Sequence, residues 1–220
     1  MVAVLIPVLA RPQRVARLVA NLAATSHGVR CNPVFLCTPS DEAEIAAVRA
    51  TAAACIVTDW DGGPGDYARK INLGFARTHE RFVLLAADDL YFHGGWAERA
   101  VAAWYESGAC VIGTNDLANP AVLAGEHATH SLVHRDYGEC GTADEQGKLL
   151  HEGYGHNFVD NEFVETARAR GTFWPALDSR VEHEHPIWSK GHPDATYEKG
   201  QQRYHEDQRL FLSRRRLWAS

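Results

Sequence analysis

One stretch constrains this chain more than any other: Arg81-Phe82-Val83-Leu84-Leu85-Ala86-Ala87-Asp88-Asp89-Leu90-Tyr91-Phe92. An apolar run ending in two alanines reads as a strand buried on both faces. It then meets two adjacent carboxylates. An unpaired carboxylate is expensive to bury, so the pair belongs at the open end of the strand, where α/β sheets bind their ligands. Two hard oxygen donors there suit a divalent cation, Mg²⁺ or Mn²⁺, holding a phosphorylated substrate. Asp88 and Asp89 equally suit the cap of a following helix, and this stretch alone leaves both open.

The residues before it repeat a strand–helix alternation. Val2 to Leu9 is a short apolar run stopped by Pro7, and Val15, Leu18, Val19 and Leu22 follow at helical spacing with Pro12 in the first turn. Pro33 to Cys37 is a second strand, and Ser40-Asp41-Glu42 opens a second helix with acids where the helix dipole favours them. Cys55 to Thr58 is a third strand. The loop Asp59-Trp60-Asp61-Gly62-Gly63-Pro64-Gly65-Asp66 cannot be regular structure, and leads to a helix with Tyr67, Ile71, Gly74 and Phe75 on one face. Strand, glycine-rich loop and helix can cradle a phosphate, though the loop matches neither G-x-G-x-x-G nor a P-loop. After the Asp88-Asp89 strand come a helix from Gly94-Gly95-Trp96 and a fifth strand at Cys110 to Gly113. The alternation implies a mainly parallel sheet with helices on both faces.

Beyond Asn115 the character changes. Residues 116–156 are polar, with one strand at Ser131-Leu132-Val133, and a helix follows over 157–170 with Gly171 as its stop. Strand-like segments recur at Phe173-Trp174-Pro175 and Val181-Glu182-His183-Glu184-His185-Pro186, and a charged, mostly helical tail begins at Asp194. A net charge of −6 gives no general basic field for nucleic acid, Arg214-Arg215-Arg216 being the one compact basic patch. Five cysteines with no C-x-x-C argue against a disulfide framework or a cysteine zinc site. No apolar run reaches membrane-span length and the chain opens directly on a strand, so the expectation is a cytoplasmic protein without a membrane partner.

The order of these features resembles the GT-A glycosyltransferases, and within them the family-2-like enzymes, in the short single-domain branch found in bacteriophage genomes. The resemblance rests on the strand ending in Pro7, the Asp61-Gly62-Gly63 loop, the Asp66-to-Gly74 helix, Ala87-Asp88-Asp89, Val159-Asp160-Asn161-Glu162-Phe163 and His183-Glu184-His185-Pro186, over roughly residues 2–190. It implies one GT-A domain over 1–220: a nucleotide-sugar half (1–115), an acceptor and metal-histidine half (116–190) and a helical tail (191–220). It also implies transfer of a sugar from a nucleotide-diphosphate donor, UDP-sugar favoured, with inversion and with Mn²⁺ or Mg²⁺ as cofactor.

The site residues follow from the same resemblance. Asp89 binds the metal, Asp88 the ribose or a metal-bound water, and His183 or His185 supplies a late ligand, the two alternating along an apparent strand. Pro7, Leu9 and Arg11 wrap the nucleoside, Asp61 reads the base edge beside Gly63, and Lys70 reaches the diphosphate. Asp160 is the general base with Glu162 in reserve; family members often show Glu-Asp where this chain has Val159-Asp160. His127, Thr129, His130, Arg135 and Tyr137, together with Trp96, are acceptor-side candidates. The acceptor itself stays open between a small molecule, a glycan, a protein side chain and a modified nucleobase. A nucleotidyltransferase fits less well, because Pro7-Val8-Leu9-Ala10-Arg11 lacks a glycine-rich loop. A non-catalytic nucleotide- or sugar-binding module is the other alternative.

Overall fold

The computed structural model describes residues 1–218, so the last two positions of the expected tail lie outside the described residues. Strand β1 (Val2–Pro7) is buried at every position but its last. Such a strand has no face for water and belongs in the middle of a sheet. On one side it pairs with β2 (Cys31–Cys37), which pairs in turn with β3 (Ala54–Val57); on the other it pairs with β4 (Phe82–Leu85), all parallel. Alternation along β1 sends Val4 and Ile6 to one face and Ala3 and Leu5 to the other. The first face packs on Val15, Leu18 and Leu22 of helix α1 (Pro12–Thr25) and Val48 of α2 (Glu42–Arg49). The second packs on Ala68, Ile71 and Phe75 of α3 (Asp66–Arg77). Gly74 is needed there, since a Cβ would stand 2.9 Å from the Leu5 Cδ2 atom.

The chain continues through β5 (Leu90–Phe92), α4 (Trp96–Ser107), β6 (Val111–Asn115), α5 (Pro120–Leu123), β7 (Ser131–His134), α6 (Arg135–Cys140), α7 (Val159–Ala169) and β8 (Phe173–His183). It ends in α8 (Ala195–Gln202) and α9 (Tyr204–Arg214). The sheet order is β3-β2-β1-β4-β7-β6-β8-β5. Strand β7 runs antiparallel between β4 and β6, and β6 pairs in parallel with β8. All five cysteines are free thiols. Among the described residues no helix is long and apolar enough to cross a membrane.

Three boundaries differ from the sequence expectation. Strand β4 stops at Leu85, and Asp88 and Asp89 occupy the turn into β5, because β5 leaves β4 to pair antiparallel with β8. Phe173 to His183 is one strand rather than two segments, with a register shift near Thr114 and Asn115. That strand ends at His183. His185 instead caps a single 3₁₀ turn, its Nδ1 accepting from the Ile187 N–H at 3.1 Å, so strand alternation does not align the two histidines.

Candidate active site

The first group of candidate residues follows the ends of β1, β2 and β4. Ala10 turns the chain there with φ of 56°, its N–H donating to Asp41. The next N–H, of Arg11, donates to the buried Glu44 carboxylate at 2.7 Å. These two bonds aim the Arg11 side chain across the strand ends at Asp88, with Nη1 and Oδ1 2.8 Å apart. Arg14, one turn into α1, reaches the same oxygen at 3.5 Å.

Asp88 and Asp89 are adjacent and buried but differ electrostatically. Burial, and behind it the charge of Asp89, pushes the Asp88 carboxyl up to about 6, against the pull of Arg11 and Arg14. Burial also works against Asp89, yet His183 and a hydrogen bond from Tyr197 hold its carboxyl well below the usual carboxylate range. His183 Nε2 lies 3.3 Å from Asp89 Oδ2, and the Tyr197 hydroxyl donates to that oxygen at 2.8 Å. Environments that split paired carboxyls in this way are typical of working sites.

Three buried polar atoms here have no hydrogen-bond partner: Asp89 Oδ1, His183 Nδ1 and His130 Nε2. Each such orphan costs about 1–3 kcal/mol. A carboxylate oxygen and imidazole nitrogens are a donor set that suits Mn²⁺ and, less well, Mg²⁺, so Asp89 and His183 fit the expected cation. His130 stands directly behind them. Its Nδ1 bonds the Leu85 carbonyl at 3.0 Å and its ring lies edge-on to His183 at 5.1 Å. His185 packs farther out, 5.0 Å from His183 and 4.5 Å from the Tyr197 ring. Among the described residues, the one trio whose possible ligand atoms all lie within 4.8 Å of one another is Asp144, Glu145 and His151. Its acids are committed to Arg214 and Lys148, which makes it an ion-pair network at the surface.

Two contributors come from the tail, and no local signal in the sequence ties them to this site. Asp194 accepts from Arg11 Nε and Nη2, each at 2.8 Å, while its Oδ1 caps α8 by accepting from the Thr196 and Tyr197 N–H groups. The Tyr197 ring lies 4.1 Å from the Arg11 guanidinium. A helix-capping Asp is legible in sequence, but the arginine on which it also closes is not.

Asp160 sits in the first turn of α7 and meets His127 Nε2 at 3.3 Å. The buried Tyr67 hydroxyl is pushed upward by burial and then by the charges of Asp160 and Asp89 together. His156, pulled down by burial, feels the same two carboxylates. Both carboxylates thus lie near enough to act on the same two side chains.

Pro7 closes β1, with Leu9 in the loop that follows. Asp61 accepts from the Ser40 N–H at 3.2 Å beside the ends of β2 and β3, and the space a Cβ on Gly63 would fill is open. Four other expected residues do not reach the site. Lys70 is fully buried, its ammonium held by Asp66 at 2.7 Å and by the Val8 carbonyl and Thr38 hydroxyl at 2.8 Å each. It supports the loop after β1 and has no donor left for a diphosphate. Glu162 lies one helical face away from Asp160, bonded to Tyr154 at 2.7 Å and to two nitrogens of Arg214 at 2.8 Å each. Arg135 spends its guanidinium on the Glu80 and Phe75 carbonyls and Thr78, at the opposite end of β4, because β7 runs antiparallel. Trp96 has no exposed surface and packs on Phe92 in the core.

No protein-family model matches the sequence, and no curated protein matches it. Solved structures do resemble the fold. A mannosyltransferase from Pyrobaculum calidifontis, in complex with GDP-Man and Mn²⁺, superposes with TM-score 0.65 at 14% identity, over 83% of this chain and 56% of its own. Glucosyl-3-phosphoglycerate synthase from Mycobacterium tuberculosis, in complex with Mn²⁺, UDP-glucose and phosphoglyceric acid, gives 0.63 at 13% identity, over 97% of this chain and 79% of its own. TarS from S. aureus gives 0.58 at 14% identity, over 79% and 57%. The chain thus spans little more than half the length of two of these three. Its fold is the GT-A fold of nucleotide-sugar glycosyltransferases.

Proposed function

We propose that this chain is a cation-dependent glycosyltransferase that moves a sugar from a nucleoside-diphosphate sugar to an acceptor hydroxyl. The observation that carries this reading is the pair of orphaned buried atoms on Asp89 and His183, with Arg11 held on the neighbouring Asp88. The neighbours crystallised with Mn²⁺ and UDP-glucose or GDP-Man support the donor class, and UDP remains the favoured base.

Asp89 and His183 would hold the cation, which would supply positive charge against a departing diphosphate. Arg11 and Arg14 add fixed positive charge on the same side. Asp61 and the loop after Pro7 hold the nucleoside. Asp160 takes the acceptor hydroxyl's proton while that oxygen bonds to the anomeric carbon. The bond from this carbon to the diphosphate oxygen breaks on the opposite face, and its electron pair leaves with the nucleoside diphosphate. In this scheme residues 1–115 carry the donor half and 116–190 the acceptor and cation-histidine half.

Thermal unfolding with UDP, GDP or CDP, each with and without Mn²⁺, on the wild type and on Asp89→Asn tests the proposal. One nucleotide should stabilise the wild type only with Mn²⁺, by about 2.7 kcal/mol at a hundred times its dissociation constant, and the variant should lose that shift. If no nucleotide stabilises the protein with Mn²⁺ present, the transferase reading falls.

A further inference from the structure

Asp160 does not stand alone at the start of α7. His127 lies behind it, its side chain 11% exposed against 32% for Asp160, with Nε2 3.3 Å from Oδ2. The histidine and the carboxylate are fixed independently and then tied together. The Glu126 and His127 N–H groups both donate to the Ala121 carbonyl, at 2.9 and 3.2 Å, which anchors the histidine to α5. Asp116 holds the base of that loop by accepting from the Ala118 and Asn119 N–H groups and the Thr129 hydroxyl. Arg168, on the same helix as Asp160, donates to the Glu126 carbonyl at 2.6 Å. Loop and helix are thereby held in register on either side of the His127–Asp160 contact.

We propose that His127 is a positioning residue for Asp160, its Nε2–H holding Oδ2 so that the carboxylate presents its open edge to the acceptor hydroxyl. The proposal rests on the reading of Asp160 as the base. The other carboxylate oxygen, Oδ1, accepts from the Asn161 N–H at 3.0 Å and keeps a lone pair for the incoming proton. During transfer the proton passes from the acceptor oxygen to Asp160, and His127 keeps its own. The groups facing His127 are Asp160, Asp116 and Glu165; burial pulls its imidazole down, but these three carboxylates leave it above its ordinary value. Asp160, in turn, is pushed up by burial and drawn below the usual carboxylate range by His127, with a smaller pull from His130.

Two substitutions separate positioning from packing. His127→Gln keeps an N–H near the Nε2 position and cannot titrate; His127→Phe keeps the ring and loses the donor. The assay is nucleoside-diphosphate release from the donor whose nucleotide binds in the thermal test, beside Asp160→Asn. His127→Phe should lose about 10- to 100-fold in kcat, as misplaced reacting groups do, with donor KM and thermal midpoint unchanged. His127→Gln should recover most of kcat. A Phe variant with wild-type kcat overturns the proposal, as does one whose whole loss is accounted for by unfolding. Full activity in Asp160→Asn removes the base reading itself, whereas an inactive Asp160→Asn beside a fully active His127→Phe overturns only the positioning role. The His127 imidazole titration, followed by NMR without substrate, should drop in Asp160→Asn, and an unchanged titration overturns the pairing directly.

Discussion

Asp194 meets Arg11 fork to fork, with Nε and Nη2 each 2.8 Å from a different carboxylate oxygen. This is how a guanidinium also takes a phosphate. If Arg11 serves the donor's diphosphate, Asp194 occupies the position that a phosphate oxygen needs, and Tyr197 lies over the same guanidinium. The 194–197 segment then competes with the donor. Asp194 is about a third exposed, so its share of the pair is screened and worth no more than about 1 kcal/mol. Asp194→Asn should therefore tighten nucleoside-diphosphate binding in the presence of Mn²⁺ by up to about fivefold. Titration calorimetry measures this directly, and an unchanged or weaker affinity would mean that the Arg11–Asp194 pair persists in the loaded protein.

Asp160 and Glu162 share a helix and divide its duties. Glu162 is buried under a two-point contact with Arg214 and a hydrogen bond from Tyr154. Removing one member of such a pair costs about 3–5 kcal/mol. Glu162→Gln should lower the thermal midpoint by several degrees while leaving Mn²⁺-dependent nucleotide binding in place. Asp160→Asn should do the reverse, keeping the midpoint and abolishing turnover. A Glu162→Gln protein that is fully stable but inactive would return Glu162 to the role of base.

The half of the site built from neighbouring residues was legible in the sequence. The continuous apolar run from Val2 predicts a strand buried on both faces, and the cost of burying Asp88 and Asp89 predicts their place past a strand end. Lys70 misled because a lysine after a glycine-rich loop resembles a phosphate ligand. Its partners are Asp66, one turn back, and Thr38 from the next strand end. Trp96 misled in the same way, since the glycine pair before it suggests a surface turn whereas Ala97 and Ala100 beside it point into the core. What Asp194 and Tyr197 contact was not legible. Their targets, Arg11 and Asp89, lie 183 and 108 residues away, and no local period encodes such a contact.

Glu44 should leave a signature in the pH dependence of stability. It is fully buried, one oxygen accepting from the Arg11 N–H and the other without a partner. Burial, opposed by that bond and reinforced by Asp41 and Asp88, pushes its carboxyl up to about 7. The folded state therefore binds the proton more tightly than the unfolded chain, whose glutamate titrates at about 4.3. The resulting stability is complete below that lower value and is lost as pH rises through about 7. Glu44→Gln cannot titrate, so the wild type's advantage over it should shrink from about pH 5 to about pH 8. Urea midpoints at the two pH values measure the difference, and equal gaps would mean that Glu44 is ionised in the fold throughout.

Asp207 tests whether the tail is part of the site or an appendage. It is buried on α9 and accepts from three consecutive N–H groups, those of Gly155, His156 and Asn157, at 2.6, 2.9 and 2.8 Å. The next residue, Phe158, has φ of 63°, a conformation that costs a non-glycine residue about 1–3 kcal/mol. Its ring is held against Phe211 and Tyr204 of the same helix, at 5.4 and 5.1 Å. The strained turn that starts α7, and so aims Asp160, is thus clamped from α9 by one carboxylate and two rings. Asp207→Asn turns an acceptor of three N–H bonds into a group that must present its own N–H to some of them. With charge-assisted bonds worth about 1.5–3 kcal/mol and each kcal/mol worth about 2–4 °C in a chain of this size, the thermal midpoint should fall by roughly 5–10 °C. Turnover per folded molecule should fall as well, since Asp160 loses the clamp on its helix start, while Mn²⁺-dependent nucleotide binding, which depends on Asp89 and Arg11, should persist. An Asp207→Asn protein with a wild-type midpoint and wild-type turnover would show that α9 is dispensable to both.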